Sequence, residues 1–242
     1  NSIFMNNVLG NRINRDLPTP KGSGYSGSHA PDFLLANDQW YRGVNMKYGP
    51  DGGVFFIDWY DRQACHRSDT EIWDRTNGRL FKVSWGDPPP RAVHLDALSN
   101  LELVELQLHP NDWYVRTARR LLQERGGDRA TWDALETILR HNPDTTRRLR
   151  ALWALHVSGG LNEQLKSELL ADKNEHLRAW AIQFSLESQS PSPALLDRLA
   201  ELAATDESQV VRLYLASGLQ RIPLQQRWEI AANLLNHPED AT

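Results

Sequence analysis

Residues 54–60, Val-Phe-Phe-Ile-Asp-Trp-Tyr, crowd β-branched and aromatic side chains behind a Gly-Pro-Asp-Gly-Gly turn at 49–53. Such a run after such a turn predicts a strand. Pro50 sets the turn's second φ, and Gly52 or Gly53 can adopt the positive φ that the reversal needs. A second strand is predicted over 78–83, where polar and apolar residues alternate as on a half-buried surface. An echo of this unit lies upstream. Ile3-Phe4-Met5-Asn6-Asn7 with the segment 10–15 parallels Phe55-Phe56-Ile57-Asp58-Trp59 with the segment 77–82, placing Arg12 and Arg79 in correspondence. Between the copies, residues 21–31 are rich in Gly and Ser and read as a loop, and residues 32–35 as a short closing strand. Residues 61–76 are a polar insertion too long for a simple hairpin and read as a candidate functional loop.

From about residue 95 the two-residue alternation gives way to a 3.6-residue period. An apolar residue followed by Arg recurs at Arg116, Arg150, Arg178 and Arg212, each preceded by an acidic residue: Asp112, Asp144, Asp172 and Asp206. Those carboxylates can accept from the free amides of a helix start. The pattern predicts helix pairs at 95–108 with 112–125, 131–141 with 144–157, 161–171 with 174–187 and 193–204 with 207–220, then a last helix near 224–236. Gly126-Gly127 and Gly159-Gly160 mark helix ends, and Pro88-Pro89-Pro90 a stiff junction. The expected fold is therefore α+β and multidomain. Residues 1–87 are read as terminal β-propeller blades, because the echo repeats a strand pair as successive blades do. Residues 91–242 are read as an α-solenoid of HEAT-like helical hairpins.

Composition narrows the function classes. The 27 Lys+Arg against 31 Asp+Glu give a net charge of −4, and the signs balance through residues 1–90. Neither part carries the basic excess that binding nucleic acid requires. No apolar run approaches the ~20 residues of a membrane span. The single cysteine excludes an internal disulfide framework. The chain opens in strand-like sequence and reads as a piece of a longer protein, with any signal peptide upstream of it.

The series Asn11-Arg-Ile-Asn-Arg, Gly22-Ser-Gly-Tyr, Pro31-Asp-Phe-Leu, Asp38-Gln-Trp-Tyr-Arg, Gly49-Pro-Asp-Gly, Asp58-Trp-Tyr-Asp, Cys65-His66 and Trp73-Asp-Arg-Thr-Asn-Gly-Arg resembles the planctomycete-type membrane-bound dehydrogenases, also described as PVC-type haem-binding proteins. The resemblance covers about the first 85 residues and extends to the helical part only by architecture. It implies a glucose/sorbosone dehydrogenase-like propeller followed by HEAT repeats and a downstream cytochrome c domain. For the parent protein it implies a periplasmic or secreted location and sugar or alcohol oxidation, with a quinone, calcium and haem c as cofactors. The chain departs from that pattern in having no Cys-x-x-Cys-His for haem attachment.

The densest set of possible ligands is Asp58, Asp61, Cys65 and His66, with Asp69 and Asp74 nearby. Thiolate and imidazole would suit zinc, copper or iron, and carboxylates alone calcium. The competing reading is a structured loop with Asp-capped turns and a small buried Cys. His29, in the Gly/Ser-rich segment, and Arg75 are candidates for contact with a cofactor, against ordinary loop and strand-bracing roles. Lys21 beside Gly22 and Gly24 lacks the Gly-Lys-Ser/Thr order of a phosphate loop. Trp113, Trp132, Trp153, Trp180 and Trp228 could form a sugar- or peptide-binding face, or fill the core between helical layers. Two functions are thus carried forward: a fragment of a secreted oxidoreductase, and a non-catalytic scaffold holding a protein or polysaccharide on the concave face of the helical stack.

Overall fold

The computed structural model describes residues 2–63, 76–89, 92–188 and 190–240. The chain divides into two compact units. One comprises Asn1–Pro20, Tyr25–His94 and Asn111–Trp113; the other comprises Lys21–Gly24, Leu95–Pro110 and Tyr114–Thr242.

In the first unit, β1 (Ile3–Asn7), β2 (Arg12–Lys21) and β3 (Gly24–Leu35) form one sheet in that order. A second sheet holds β4 (Gly43–Tyr48), β5 (Val54–Asp58) and β6 (Arg79–Val83), again in chain order. Gly52 supplies the positive φ of the turn before β5, at +81°. The echo is visible in the pairing: Arg12 lies opposite Asn7 and Arg79 opposite Asp58, each in an antiparallel register. Ile13, Tyr41 and Phe56 are buried between the sheets, with Leu34, Ala36, Met46 and Val83 packed around them. The other face of the second sheet exposes the cross-strand row Val44, Ile57 and Leu80.

Two expectations fail here. The segment 21–31 is not a loop, because β2 continues to Lys21 and β3 begins at Gly24, leaving a two-residue turn. Glycine and serine signal a turn, but paired backbone absorbs the rest of the segment. Pro18 and Pro20 are tolerated in a central strand because β1 reaches only to Asp16, so beyond it β2 has one unpaired edge. The expected β-propeller is also overturned. Blades are four-stranded sheets set around a channel, whereas the described residues form two small three-stranded antiparallel sheets and no closed ring. The echoed pair is edge and centre in one sheet (β1–β2) and centre and edge in the other (β5–β6), so the two sheets are not successive copies of one unit.

The second unit is helical, with nine α-helices among the described residues of the chain. They are α1 (Asn100–Glu105), α2 (Asp112–Arg125), α3 (Arg129–His141), α4 (Thr145–Ser158), α5 (Glu163–Leu169), α6 (Glu175–Ser185), α7 (Pro193–Thr205), α8 (Gln209–Gly218) and α9 (Trp228–Leu234). Helix α3 packs on α4, α5 on α6 and α7 on α8, while α1 meets α3, α6 meets α8 and α7 meets α9. These are stacked helical hairpins. Leu122, Leu135, Leu139, Leu152, Leu155, Leu177, Ile182 and Leu199 are buried within them. At ~1.5–3 kcal/mol for each such side chain removed from water, this burial is the main stabilising term.

Hydrogen-bonding caps end several of the helices. Ser99 and Glu102 form a reciprocal capping box on α1. Gly159 closes α4 at φ +86°. At Gly160 the constraint is space: a Cβ there would lie 2.4 Å from the Trp132 ring, which donates from Nε1 to Ser158 O at 3.2 Å.

Candidate functional site

The first unit concentrates its polar chemistry around the end of β5. Asp58 is fully buried, and both of its oxygens are engaged. Oδ1 accepts from the Arg42 amide at 2.6 Å and the Tyr60 amide at 2.9 Å. Oδ2 accepts from Arg79 Nε at 2.9 Å and Nη2 at 2.5 Å, and that guanidinium also reaches Asp38 at 3.2 Å. Tyr60 holds a positive φ of 45°, rare for a bulky residue. The Arg79 guanidinium covers its ring at 3.7 Å. Arg42 is buried, and among the described residues its guanidinium donates to carbonyls: Tyr41 O at 2.8 Å, Arg62 O at 3.1 Å and Val8 O at 3.4 Å. The Tyr41 hydroxyl donates to Asn6 Oδ1 at 2.8 Å. Burial pushes this phenol up to about 12, the Asp58 charge adding to the shift and Arg79 opposing it.

Asp61 is also buried, and its Oδ1 accepts from the Gln63 amide at 2.9 Å. Of the residues read as metal ligands, Cys65 and His66 lie outside the described residues, as does Arg75. Among the described residues no group of three or more His, Cys, Asp and Glu is arranged to hold a metal ion. His29 is half-exposed and sits on β3 between two carboxylates, with Nδ1 2.9 Å from Asp16 and Nε2 3.4 Å from Asp32. Arg12 holds the other oxygen of Asp32 at 3.0 Å. The structure therefore joins Arg79 to Asp58 and Asp38, a bracing of strand to carboxylate of the kind its sequence position suggests, and His29 to Asp16, a contact it does not suggest.

In the helical unit the guanidinium–carboxylate pattern is regular. Four residues after the N-caps Asp144, Asn174 and Ser208 stand Arg148, Arg178 and Arg212. Each reaches a carboxylate of the following turn. Arg148 bonds Asp172 at 2.5 Å, Arg178 holds Asp206 at 2.7 and 2.8 Å, and Arg212 holds Asp240 at 2.5 and 2.7 Å. Arg178 and Arg212 also donate to Asp172 O and Asp206 O, the backbone of their own turns. Hydrogen bonding from Arg212 holds the Asp240 carboxyl below the usual carboxylate range.

This ladder corrects the sequence reading in two places. The second rung is Arg148, while Arg150 instead donates to His109 O at 3.1 Å. Of the four carboxylates expected to cap helix starts, Asp144 alone does so directly. Asp172 and Asp206 accept from the amides of Asn174 and Ser208, which are the caps, and Asp112 lies inside α2. Counting from the cap residue rather than from the apolar–Arg pair would have found the rungs.

Along the second helices runs an aromatic row. Trp153 on α4 meets Trp180 on α6 edge-on at 5.3 Å, and Trp180 meets Tyr214 on α8 at 6.3 Å. Arg119 of α2 stands over the Trp153 ring at 5.2 Å. Trp153, Trp180 and Tyr214 are each half-buried. Among the described residues no helix is long and apolar enough to cross a membrane.

Compared with known proteins, residues 1–86 match the model of a family described as a domain of unknown function, DUF7133. That match covers the two sheets and stops before the first helix. No curated protein matches the chain.

Proposed function

We propose that this chain is a binding scaffold, and that a protein partner docks along the second helices of the hairpin stack. The observation that carries the reading is the half-buried row Arg119, Trp153, Trp180 and Tyr214, presented by four consecutive second helices. Aromatic and arginine side chains held in fixed rotamers lose little entropy on binding and dominate protein–protein contacts. The arginine–carboxylate ladder ties each second helix to the turn of the next repeat, as a linear recognition surface requires.

The oxidoreductase reading rests on the motif series between Asn11 and Arg79. In this chain Arg79 donates to both Asp38 and Asp58, and Asn11 donates to Gln39 O and Tyr41 O. Those motif positions have structural work to do, so their presence alone does not argue for an activity of this segment.

The test is affinity capture on the immobilised full chain, beside a Trp153→Ala/Tyr214→Ala variant whose helicity is verified by circular dichroism, together with a glycan array. A defined protein retained by the native chain and lost from the variant supports the reading. Retention of glycans alone, or equal retention by both chains, overturns it.

A further inference from the structure

The two helical layers carry charge of opposite sign. The second helices α2, α4, α6 and α8 hold nine arginines against three carboxylates, Asp112, Glu124 and Glu175. The first helices α1, α3, α5 and α7 hold four lysines and arginines against eight carboxylates. Resting on the scaffold reading, we propose that the docking partner presents an acidic segment, its carboxylates over α2 and α4 and its apolar side chains against Trp180 and Tyr214.

The charge is graded along the aromatic row. Helices α2 and α4 hold seven of the nine arginines, against Asp112 and Glu124. Adding the Arg148 partner Asp172 and the cap Asp144 still leaves that end positive. Arg119 stands over the Trp153 ring, and Arg116 and Arg150 lie one helical turn before Arg119 and Trp153, on the same helix faces. Arg116 is exposed. Toward the other end, the charged residue of α8 is Arg212, which is buried and bound to Asp240. There Trp180 meets Phe184 at 5.3 Å and Tyr214 at 6.3 Å. The row thus runs from cationic to apolar.

A gradient of this kind selects both the charge of a bound segment and the direction in which it lies. A basic segment would meet like charge at α2 and α4. Arginines among aromatic rings also suit single-stranded nucleic acid, but that ligand tracks a basic groove along its whole length. The α6–α8 end offers no such groove, and residues 91–242 together carry 17 basic against 21 acidic residues. A peptide with carboxylates at one end and apolar residues at the other matches the row throughout.

The test is a fluorescence-polarisation titration of the full chain against a labelled random glutamate–tyrosine copolymer, with a lysine–tyrosine copolymer and oligothymidylate as separate arms. The glutamate copolymer should bind saturably and about tenfold more tightly than the lysine copolymer, and should weaken about tenfold as salt rises from about 50 to about 300 mM. Arg116→Gln/Arg119→Gln should weaken it about fivefold, as the loss of exposed ion pairs does. Trp153→Ala/Tyr214→Ala should weaken it at least as much, the helicity of both variants being verified by circular dichroism. Absence of saturable binding, equal or tighter binding of the lysine copolymer or oligothymidylate, or affinity independent of salt would overturn the acidic partner while leaving the aromatic docking face to its own capture test. Native affinity in Trp153→Ala/Tyr214→Ala would overturn both.

Discussion

Tyr41 shows how single residues of the first unit are bound to their neighbours. Its ring packs against Phe56 and its hydroxyl reaches Asn6, so it ties the start of the second sheet to β1. Because burial raises the folded phenol to about 12, above its unfolded value of ~10, its contribution to stability is complete below pH ~10 and is lost as pH rises through 12. Urea unfolding should therefore show the native midpoint falling from pH 10 upward more steeply than that of Tyr41→Phe. At pH 8 the variant should be less stable by ~1 kcal/mol, through the lost bond to Asn6. Parallel pH profiles would contradict this. Asp58 belongs to the same scale. Its position at the end of a hydrophobic strand made it a plausible ligand, yet four donors consume both its oxygens. The sequence held those donors in plain view, but Arg42 and Arg79 are distant along the chain and no local motif joins them to Asp58.

At the scale of elements, the ladder is what distinguishes this stack from generic helix packing. Arg178→Gln should remove a bidentate pair whose Asp206 side chain is almost entirely buried, costing ~2–4 kcal/mol of thermal stability. Arg140→Gln breaks a half-exposed pair with Glu168 and should cost less than ~1 kcal/mol. Equal losses in thermal unfolding would mean that the rungs act as ordinary surface pairs. The helices themselves were legible, because apolar periodicity and the caps Asp144, Gly126 and Gly159 mark their limits. The rung at Arg148 was not, because Leu149-Arg150 imitates the marker and only distance from the cap separates the two. The strand β3 was hidden for another reason. Its Gly and Ser residues signal turns locally, and pairing with β2 overrides that signal.

For the whole molecule, the sequence reads as a β part followed by an α part, and the structure has two compact units, one of which takes in Asn111–Trp113 and the other Lys21–Gly24. Where sequence reasoning overreached was in reading propeller blades, since each sheet has three strands. A repeated strand pair implies a repeated local pairing, as Arg12–Asn7 and Arg79–Asp58 show, but not a four-stranded blade. The charge difference between the helical layers was out of reach for the opposite reason, since the helices of one layer alternate along the chain with those of the other and no local motif marks them. The functional account assigns recognition to the helical stack and structural bracing to the polar residues of the sheets. Its most direct test is site-specific photo-crosslinking in native extract, with benzoylphenylalanine placed at position 214 on α8 or at position 57 on the exposed face of β5. The account predicts a discrete protein adduct from position 214 that disappears when Trp153→Ala is added, and none from position 57. An adduct from position 57 alone would contradict it.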